Sequence, residues 1–171
     1  MVGKIKKASD LTSTQFTIDK LVYGSKKKKL FWVVNLNEAR FLAESQAIVK
    51  AGIDLNELSP DDVRINGESI EIHLPHVRII TFSYPADRFK ESLYSKNFAF
   101  NKISVVEKEK LFRDAELDIR ESLKYMGIRK TTEDKTRLLF EALLRNLGYN
   151  EIYMDFKEGE LIAEPDLNIV Q

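Results

Sequence analysis

Both histidines of the chain lie in one short stretch, and histidine side chains can act in catalysis or bind a metal ion. The stretch reads SIEIHLPHVRII and places His73 and His76 three positions apart around a Leu-Pro step. A neutral imidazole is a common zinc ligand, and a histidine beside a carboxylate is a common general base. Asp54, in the stretch AGIDL, would supply such a carboxylate. One interpretation is therefore a metal-dependent or histidine-assisted hydrolase built on His73, His76 and Asp54.

The secondary structure predicted around the histidines argues against such a site. The stretch VRINGESIEIHLP predicts a β-hairpin, because Asn66-Gly67 is a preferred turn pair and hydrophobic residues alternate with polar ones on both sides of it. Side chains three positions apart on a strand point to opposite faces, whereas the ligands of zinc must converge. We therefore predict no metal and no cofactor, an outward-facing His73, and an Asp54 that caps the turn after it.

The composition is that of an ordinary globular protein. The 171 residues are 43% hydrophobic and 32% charged, and 27 basic residues balance 27 acidic ones. With no net charge, the chain has no overall field to attract nucleic acid, so nucleic acid is not an expected partner. The absence of cysteine excludes disulfides and thiolate chemistry. The length predicts a single domain over residues 1–171, and the first residues contain no hydrophobic run typical of a signal peptide or membrane span, so we expect this chain to be soluble.

The first two-thirds of the chain is predicted to be mainly strands. A strand in LTSTQFTIDKLVY is followed by a turn at GSKKKK, residues 24–29, then by a strand in LFWVVNL and a turn at residues 37–39. We expect a long strand from residue 41, with one buried face formed by hydrophobic or small residues at every second position. These are Phe41, Ala43, Ser45, Ala47, Val49, Ala51 and Ile53.

Two helices and a last strand are predicted in the final third. Ser104 and Glu107 match the capping box of a helix that ends at Gly127. Thr131 or Thr132 is predicted to cap a second helix. Its hydrophobic residues at helical spacing are Leu138, Leu139, Ala142, Leu143 and Leu147. With EIYMDF as the last strand, the sequence predicts an α+β fold: a twisted, mainly antiparallel sheet of about six strands with two C-terminal helices packed on one face.

Two further stretches are candidate contact sites. Lys26, Lys27, Lys28 and Lys29 could bind an anionic lipid or polymer, although four lysines in a turn are also typical of a solvated loop. Phe98 and Phe100 occupy the otherwise polar segment SKNFAFNK, where they would either contact a partner or anchor the segment to the sheet.

The order of these segments is similar to that of a known family. The stretch KAGIDL, residues 50–55, and the strand IEIHLP, residues 70–75, resemble the bacterial family known as domain of unknown function 4230. The resemblance covers about residues 9–157 and leaves a C-terminal tail, residues 158–171. It implies a protein held in a bacterial membrane by an N-terminal helix that this chain lacks, with the domain outside the cytoplasm. It implies no catalytic residue, and His76 departs from the further prolines that members often carry after the LP step.

Together these observations favour a non-catalytic binding or scaffold domain. Its expected partner is an unidentified protein or envelope ligand, and the expected surface includes Asp54, Phe98 and Phe100, with the lysine run as the alternative. The oligomeric state is left open by the sequence.

Overall fold

The computed structural model describes residues 14–30, 34–95 and 104–161, and gives the backbone alone for residues 25–30, 34–40 and 91–95. The chain divides into two compact units. Of the described residues, the first unit contains 14–16, 49–82 and 124–161, and the second unit contains the remainder. The single domain expected from the chain length stays a prediction.

The described residues form seven strands and two α-helices. The strands are β1 (Thr14–Leu30), β2 (Val34–Gly52), β3 (Val63–Asn66), β4 (Ser69–Leu74), β5 (Arg78–Ser83), β6 (Lys90–Ser95) and β7 (Glu151–Phe156). The helices are α1 (Val105–Ser122), in the second unit, and α2 (Ile128–Asn146), in the first. This confirms the predicted α+β class. In the part of the chain that is described, neither helix has the length and hydrophobicity to cross a membrane.

The strands form two sheets rather than one. In the first sheet β2 pairs with β1, β5 and β6, and in the second β4 lies between β3 and β7. The β2–β6 and β3–β4 pairs are antiparallel, whereas β7 returns parallel to β4.

Two predicted turns are strand in the structure, so both predictions are wrong. The lysine run belongs to β1, and residues 37–39 belong to β2, where Ala39 pairs with Ser95. Gly24 was read as a turn residue, but it lies where α1 approaches β1: a Cβ at this position would lie 2.5 Å from Leu111 Cδ1. Glycine thus makes room for a packed side chain. The pairing of β1 with β2, and of β2 with β6, overrides the local turn preference.

The long strand β2 has the buried face that the alternation of its residues predicts. All seven predicted positions, from Phe41 to Ile53, are buried. In the second unit Phe41 and Ala43 form a core cluster with Val22 and Ala115, the latter from α1. The small side chains of Ala43 and Ala115 let the helix and the sheet approach closely.

Aromatic rings extend the core of the second unit. The ring of Phe41 meets the edge of Phe112, with 5.8 Å between the ring centroids. Phe112 in turn stacks on Phe89 at 3.9 Å. These contacts attach α1 to the sheet and to the segment that leads into β6.

The hairpin predicted in the first unit is confirmed, with its turn one residue later than expected. Asn66 pairs with Ser69, so the two loop residues are Gly67 and Glu68. Gly67 has φ +60°, which the common two-residue hairpin turns require at their first loop position. On β4 buried residues alternate with half-buried ones, as the sequence indicates.

Helix α2 begins earlier than predicted and buries a different face. It starts at Ile128, directly after the left-handed Gly127, so the predicted threonine cap is wrong. The buried positions recur at every fourth residue: Ile128, Thr132, Thr136, Phe140 and Leu144. Leu138, predicted to be buried, is 68% exposed. The helix ends in a Schellman motif, in which the Tyr149 backbone N–H donates to the Leu144 carbonyl.

The two buried threonines of α2 are expected to lower the stability of the protein. Within the described residues neither the Thr132 nor the Thr136 hydroxyl has a hydrogen-bond partner, and a buried polar group without one costs stability. Thr132→Val and Thr136→Val keep the side-chain shape, so we expect each to raise the free energy of unfolding by about 1 kcal/mol in urea denaturation. Thr131→Val, at an exposed position of the same helix, is the control and should have almost no effect. A loss of stability at the buried positions would contradict the expectation.

Candidate functional site

Asp54 holds together the turn that follows β2. Its Oδ1 accepts a hydrogen bond from the Asn56 backbone N–H at 2.9 Å, which confirms the predicted cap. Its Oδ2 accepts from Arg78 Nη2 at 2.6 Å, and Arg78 Nη1 donates to Glu57 at 2.9 Å. The Asn56 hydrogen bond, assisted by the Arg78 charge, lowers the pKa of Asp54 against the opposing effect of burial. Asp54 therefore fixes the start of β5 to this turn.

His73 lies on the open face of the second sheet, opposite the buried isoleucines of β4. Its Nδ1 is 2.6 Å from the Asp155 carboxylate, directly across on β7, and its Nε2 is 3.6 Å from Glu71. Glu71 also lies 3.6 Å from the Arg64 guanidinium on β3. The side chain of His73 is 35% exposed. The prediction that it points away from the core is confirmed.

His76 has different surroundings. It follows the buried Pro75, and its ring lies against the backbone of Gly159, so closely that a Cβ at Gly159 would clash with it. The Gly159 carbonyl accepts a hydrogen bond from Arg129 of α2 at 2.6 Å. Glycine is needed here because the imidazole occupies the space of a side chain.

The alternative site of His73, His76 and Asp54 is not assembled. Each of the three side chains has its own neighbours, as described above. Across residues 14–30, 34–95 and 104–161 no group of three or more His, Asp or Glu side chains is placed to hold a metal ion.

A second carboxylate, Asp62, links Lys157 at the end of β7 to Ser59 in the turn before β3. We call this group of contacts the Asp62 clamp. Asp62 Oδ2 accepts hydrogen bonds from Lys157 Nζ at 2.7 Å, from the Ser59 backbone N–H at 2.8 Å and from the Ser59 hydroxyl at 2.9 Å. These donors, Lys157 foremost, lower the pKa of Asp62 from 3.8 to about 2. The clamp stabilises the first unit only while Asp62 is ionised.

The second unit carries an open groove on the sheet face opposite α1. The odd-numbered residues of β2 from Phe41 onwards are buried, so Glu44 and Gln46 point the other way. Gln46 donates to Asp19 Oδ1 on β1 at 2.9 Å and accepts from the Arg88 guanidinium. The groove has a volume of about 600 Å³. We call it the outer groove, and its lining includes Asp19, Leu21, Glu44, Gln46, Arg88 and Lys90.

Ser45 and Lys20, which also line the outer groove, take part in a hydrogen-bonded network with Tyr84 and α1. The Ser45 hydroxyl donates to the Lys20 carbonyl at 3.0 Å and accepts from the Tyr84 hydroxyl at 2.6 Å. Burial raises the pKa of Tyr84, which keeps its proton on the oxygen. The Lys20 ammonium is paired with Asp118 of α1. The two hydroxyls bond to each other and to a backbone carbonyl, and no base among the described side chains accepts a proton from either, so this network stabilises the sheet.

The sequence did not point to the outer groove. The alternation of β2 places Glu44 and Gln46 on its outer face, and the charges at residues 87, 88 and 90 form a local cluster. No local sequence pattern indicates that these side chains lie close to Asp19, because their proximity depends on the pairing of β2 with both β1 and β6.

The other predicted contacts are not tested. Phe98 and Phe100 lie outside the described residues, and Lys26, Lys27, Lys28 and Lys29 are described by their backbone alone. Both remain predictions.

The Asp62 clamp predicts a pH-dependent part of the stability. Because the pKa of Asp62 is lower in the folded protein, its contribution is complete above about pH 5 and is lost as the pH falls towards about pH 2. Asp62→Asn should therefore lower the free energy of unfolding by about 1 kcal/mol at pH 7, since the partial exposure of Lys157 weakens the pair, and this deficit should shrink below about pH 4. Asp61→Asn, one residue away and exposed, is the control. A deficit independent of pH in urea denaturation would contradict the assignment.

Comparison with known proteins identifies a family and no individual relative. A family model described as a protein of unknown function (DUF4230) matches residues 3–154. The search of curated proteins and the search of solved structures found no match. The matched region includes Asp54, Asp62, both histidines and all six groove residues named above. Since the match covers most of the chain, the protein belongs to the DUF4230 family.

Proposed function

We propose that this chain is a non-catalytic binding domain whose ligand occupies the outer groove. The observation that supports the proposal is a groove of about 600 Å³ lined by charged groups of both signs, of which Asp19 and Arg88 are held in place by Gln46. Small-molecule sites are typically clefts of roughly 300 to 1,000 Å³ with a few fixed polar groups. The ligand would be an envelope solute or a segment of a partner protein.

The fixed polar groups favour binding because they need little rearrangement. Gln46 is held between Asp19 and Arg88, so its amide orientation is determined by the two neighbours. Glu44, Asp87 and Lys90 form no hydrogen bond or ion pair with another described side chain, which leaves their charges free for a ligand. Asp19 and Arg88, which Gln46 already holds in position, lose little conformational entropy on binding.

The same surroundings argue against catalysis in the groove. Ser45 lines the groove, but its hydroxyl is engaged: it donates to the Lys20 carbonyl and accepts from the Tyr84 hydroxyl. Acyl or glycosyl transfer needs a nucleophile or a pair of carboxyl groups with distinct protonation states at the reacting atoms. The proposal therefore assigns recognition, and no bond-breaking step, to this surface.

A thermal-shift panel tests the proposal. The panel contains four classes of probe: free amino acids, tripeptides, sugar phosphates and neutral disaccharides. At least one class should raise the melting temperature, because a ligand at 100 times its Kd adds about 2.7 kcal/mol to the free energy of unfolding. Arg88→Ala should weaken that ligand at least tenfold, as expected for loss of a charged contact of about 1.4 kcal/mol or more.

Lys110→Ala, an exposed change on α1 outside the groove, is the matched control and should leave binding unchanged. The proposal is wrong if no class of probe shifts the melting temperature, or if Arg88→Ala binds the active probe as well as the unchanged protein does.

We also propose that the natural protein is tethered to a bacterial membrane, with this domain outside the cytoplasm. The support is the resemblance to the DUF4230 family described above, which implies an N-terminal anchor before the domain. Phe98, Phe100 and the four lysines are proposed as further contacts with the partner or the membrane surface.

Cell fractionation tests the location. In cells that produce the protein from its natural gene, the domain should sediment with membranes and be released by detergent but not by 1 M salt, a concentration that screens surface charges. Protease added to spheroplasts should digest it, whereas a cytoplasmic marker enzyme stays intact. Recovery of the protein in the soluble cytoplasmic fraction would refute this part of the proposal.

A further inference from the structure

Asn66 and Gly67 lie at the exposed end of the β3–β4 hairpin, and Asn66 is the only asparagine of the chain that a glycine follows. Both residues are exposed. Apart from the adjoining residues, no described atom lies within 4 Å of the position that a Gly67 Cβ would occupy. Among the described residues the Asn66 side-chain amide has no hydrogen-bond partner. This amide is therefore open to attack by the backbone nitrogen that follows it.

An asparagine amide can react with the backbone nitrogen of the next residue. The nitrogen attacks the side-chain Cγ, ammonia leaves, and a five-membered succinimide ring forms. Water then opens the ring at one of its two carbonyl groups: opening at the side-chain carbonyl gives aspartate, and opening at the main-chain carbonyl gives isoaspartate. Glycine in the second position favours the attack, because it has no side chain to shield the nitrogen. Asparagine is for this reason one of the thermolabile residues of proteins.

The other asparagines whose side chains the structure describes, Asn56, Asn146 and Asn150, have different surroundings. After each of them the next backbone N–H is held in a hydrogen bond to a carbonyl group. These bonds run from Glu57 to Asp54, from Leu147 to Leu144 and from Glu151 to Glu68. By contrast, the Gly67 N–H donates to no described residue, since the first loop residue of a two-residue hairpin has no partner across the strands. Of these asparagines, Asn66 alone is followed by an unbonded nitrogen.

The strand conformation of Asn66 decides how the reaction starts. An extended backbone directs the Gly67 nitrogen away from Cγ, so ring closure requires a rotation about the Cα–C bond of Asn66. Asn66 and Ser69 are the last pair of the hairpin, and this rotation separates them. The end of an exposed hairpin opens at a lower free energy than the core of a protein does. Local opening of the turn is therefore sufficient for the reaction.

We propose that Asn66 is a site of spontaneous deamidation in the folded protein, where water and a succinimide intermediate convert the amide to aspartate or isoaspartate. In isoaspartate the main chain runs through Cβ and Cγ, and the former main-chain carbonyl of residue 66 becomes a free carboxylate. The last pair of a two-residue hairpin exchanges backbone hydrogen bonds through that carbonyl. The isoaspartate form therefore loses the pair that closes the hairpin with Ser69.

Incubation of the purified protein in neutral buffer, followed by ion-exchange separation and peptide mapping, tests the proposal. An acidic species should accumulate, with aspartate and isoaspartate at position 66. Asn56, Asn146 and Asn150 should stay intact over the same period. The protein denatured in urea is the positive control, because its backbone can rotate freely. An unchanged Asn66 in the folded protein, at times when the denatured protein has been converted, would overturn the proposal.

Two variants locate the reaction. Asn66→Gln keeps a side-chain amide, but attack on it would close a six-membered ring, which forms far more slowly than the succinimide. This variant should therefore form much less of the acidic species. Asn146→Gln, at an exposed position at the end of α2, is the matched control and should age as the unchanged protein does. The proposal fails if Asn66→Gln ages at the rate of the unchanged protein.

Thermal denaturation tests the structural consequence. Asn66→Asp introduces the negative charge without rearranging the main chain. The isoaspartate form, separated from the aged protein, should melt at a lower temperature than Asn66→Asp, because it alone lacks the closing pair. Equal melting temperatures would refute the loss of that pair. None of these measurements uses a ligand of the outer groove, so their result is independent of the proposed binding function.

Discussion

The alternation of side chains along β2 is the constraint on which the other features depend. Every second residue from Phe41 to Ile53 is buried, and a shift by one residue would bury Glu44 and Lys50 in their place. Burial of an unpaired charge costs far more than the loss of a hydrophobic contact, so the strand has one stable orientation. That orientation supplies the core beneath α1 and turns Glu44 and Gln46 to the opposite face, where the outer groove lies.

The carboxylates at the turns of the first unit and the charged residues that line the outer groove differ in their partners. In the first unit Asp54 and Asp62 are each bound by a cation and by backbone N–H groups, and they hold turns beside strands. In the second unit Glu44, Asp87 and Lys90 form no such bonds with other described side chains. Paired carboxylates contribute to stability, whereas charges left unpaired at a concave surface are available to a ligand. This difference directs attention to the outer groove rather than to the histidines.

Features set by neighbouring residues were predicted well. The hairpin around Gly67, the capping box of Ser104 and Glu107 and the cap formed by Asp54 all involve contacts within a few residues. Predictions failed where a distant element decides the outcome. Gly24 makes room for Leu111, eighty-seven positions away by the sequence numbering, and α2 buries two threonines while Leu138 faces outward. A hydrophobic count along a helix cannot identify the face that its neighbours will cover.

The sequence by itself determined the α+β class, the buried parity of β2 and β4 and the direction of His73, because a period of two follows from strand geometry alone. It also indicated that the two histidines would not converge. Only the tertiary structure decided where the candidate binding surface lies. Asp19, Gln46 and Arg88 are far apart along the chain and meet through the joint register of β1, β2 and the segment leading into β6. Strand register is a long-range property, set by the packing of whole faces, and no local pattern encodes it.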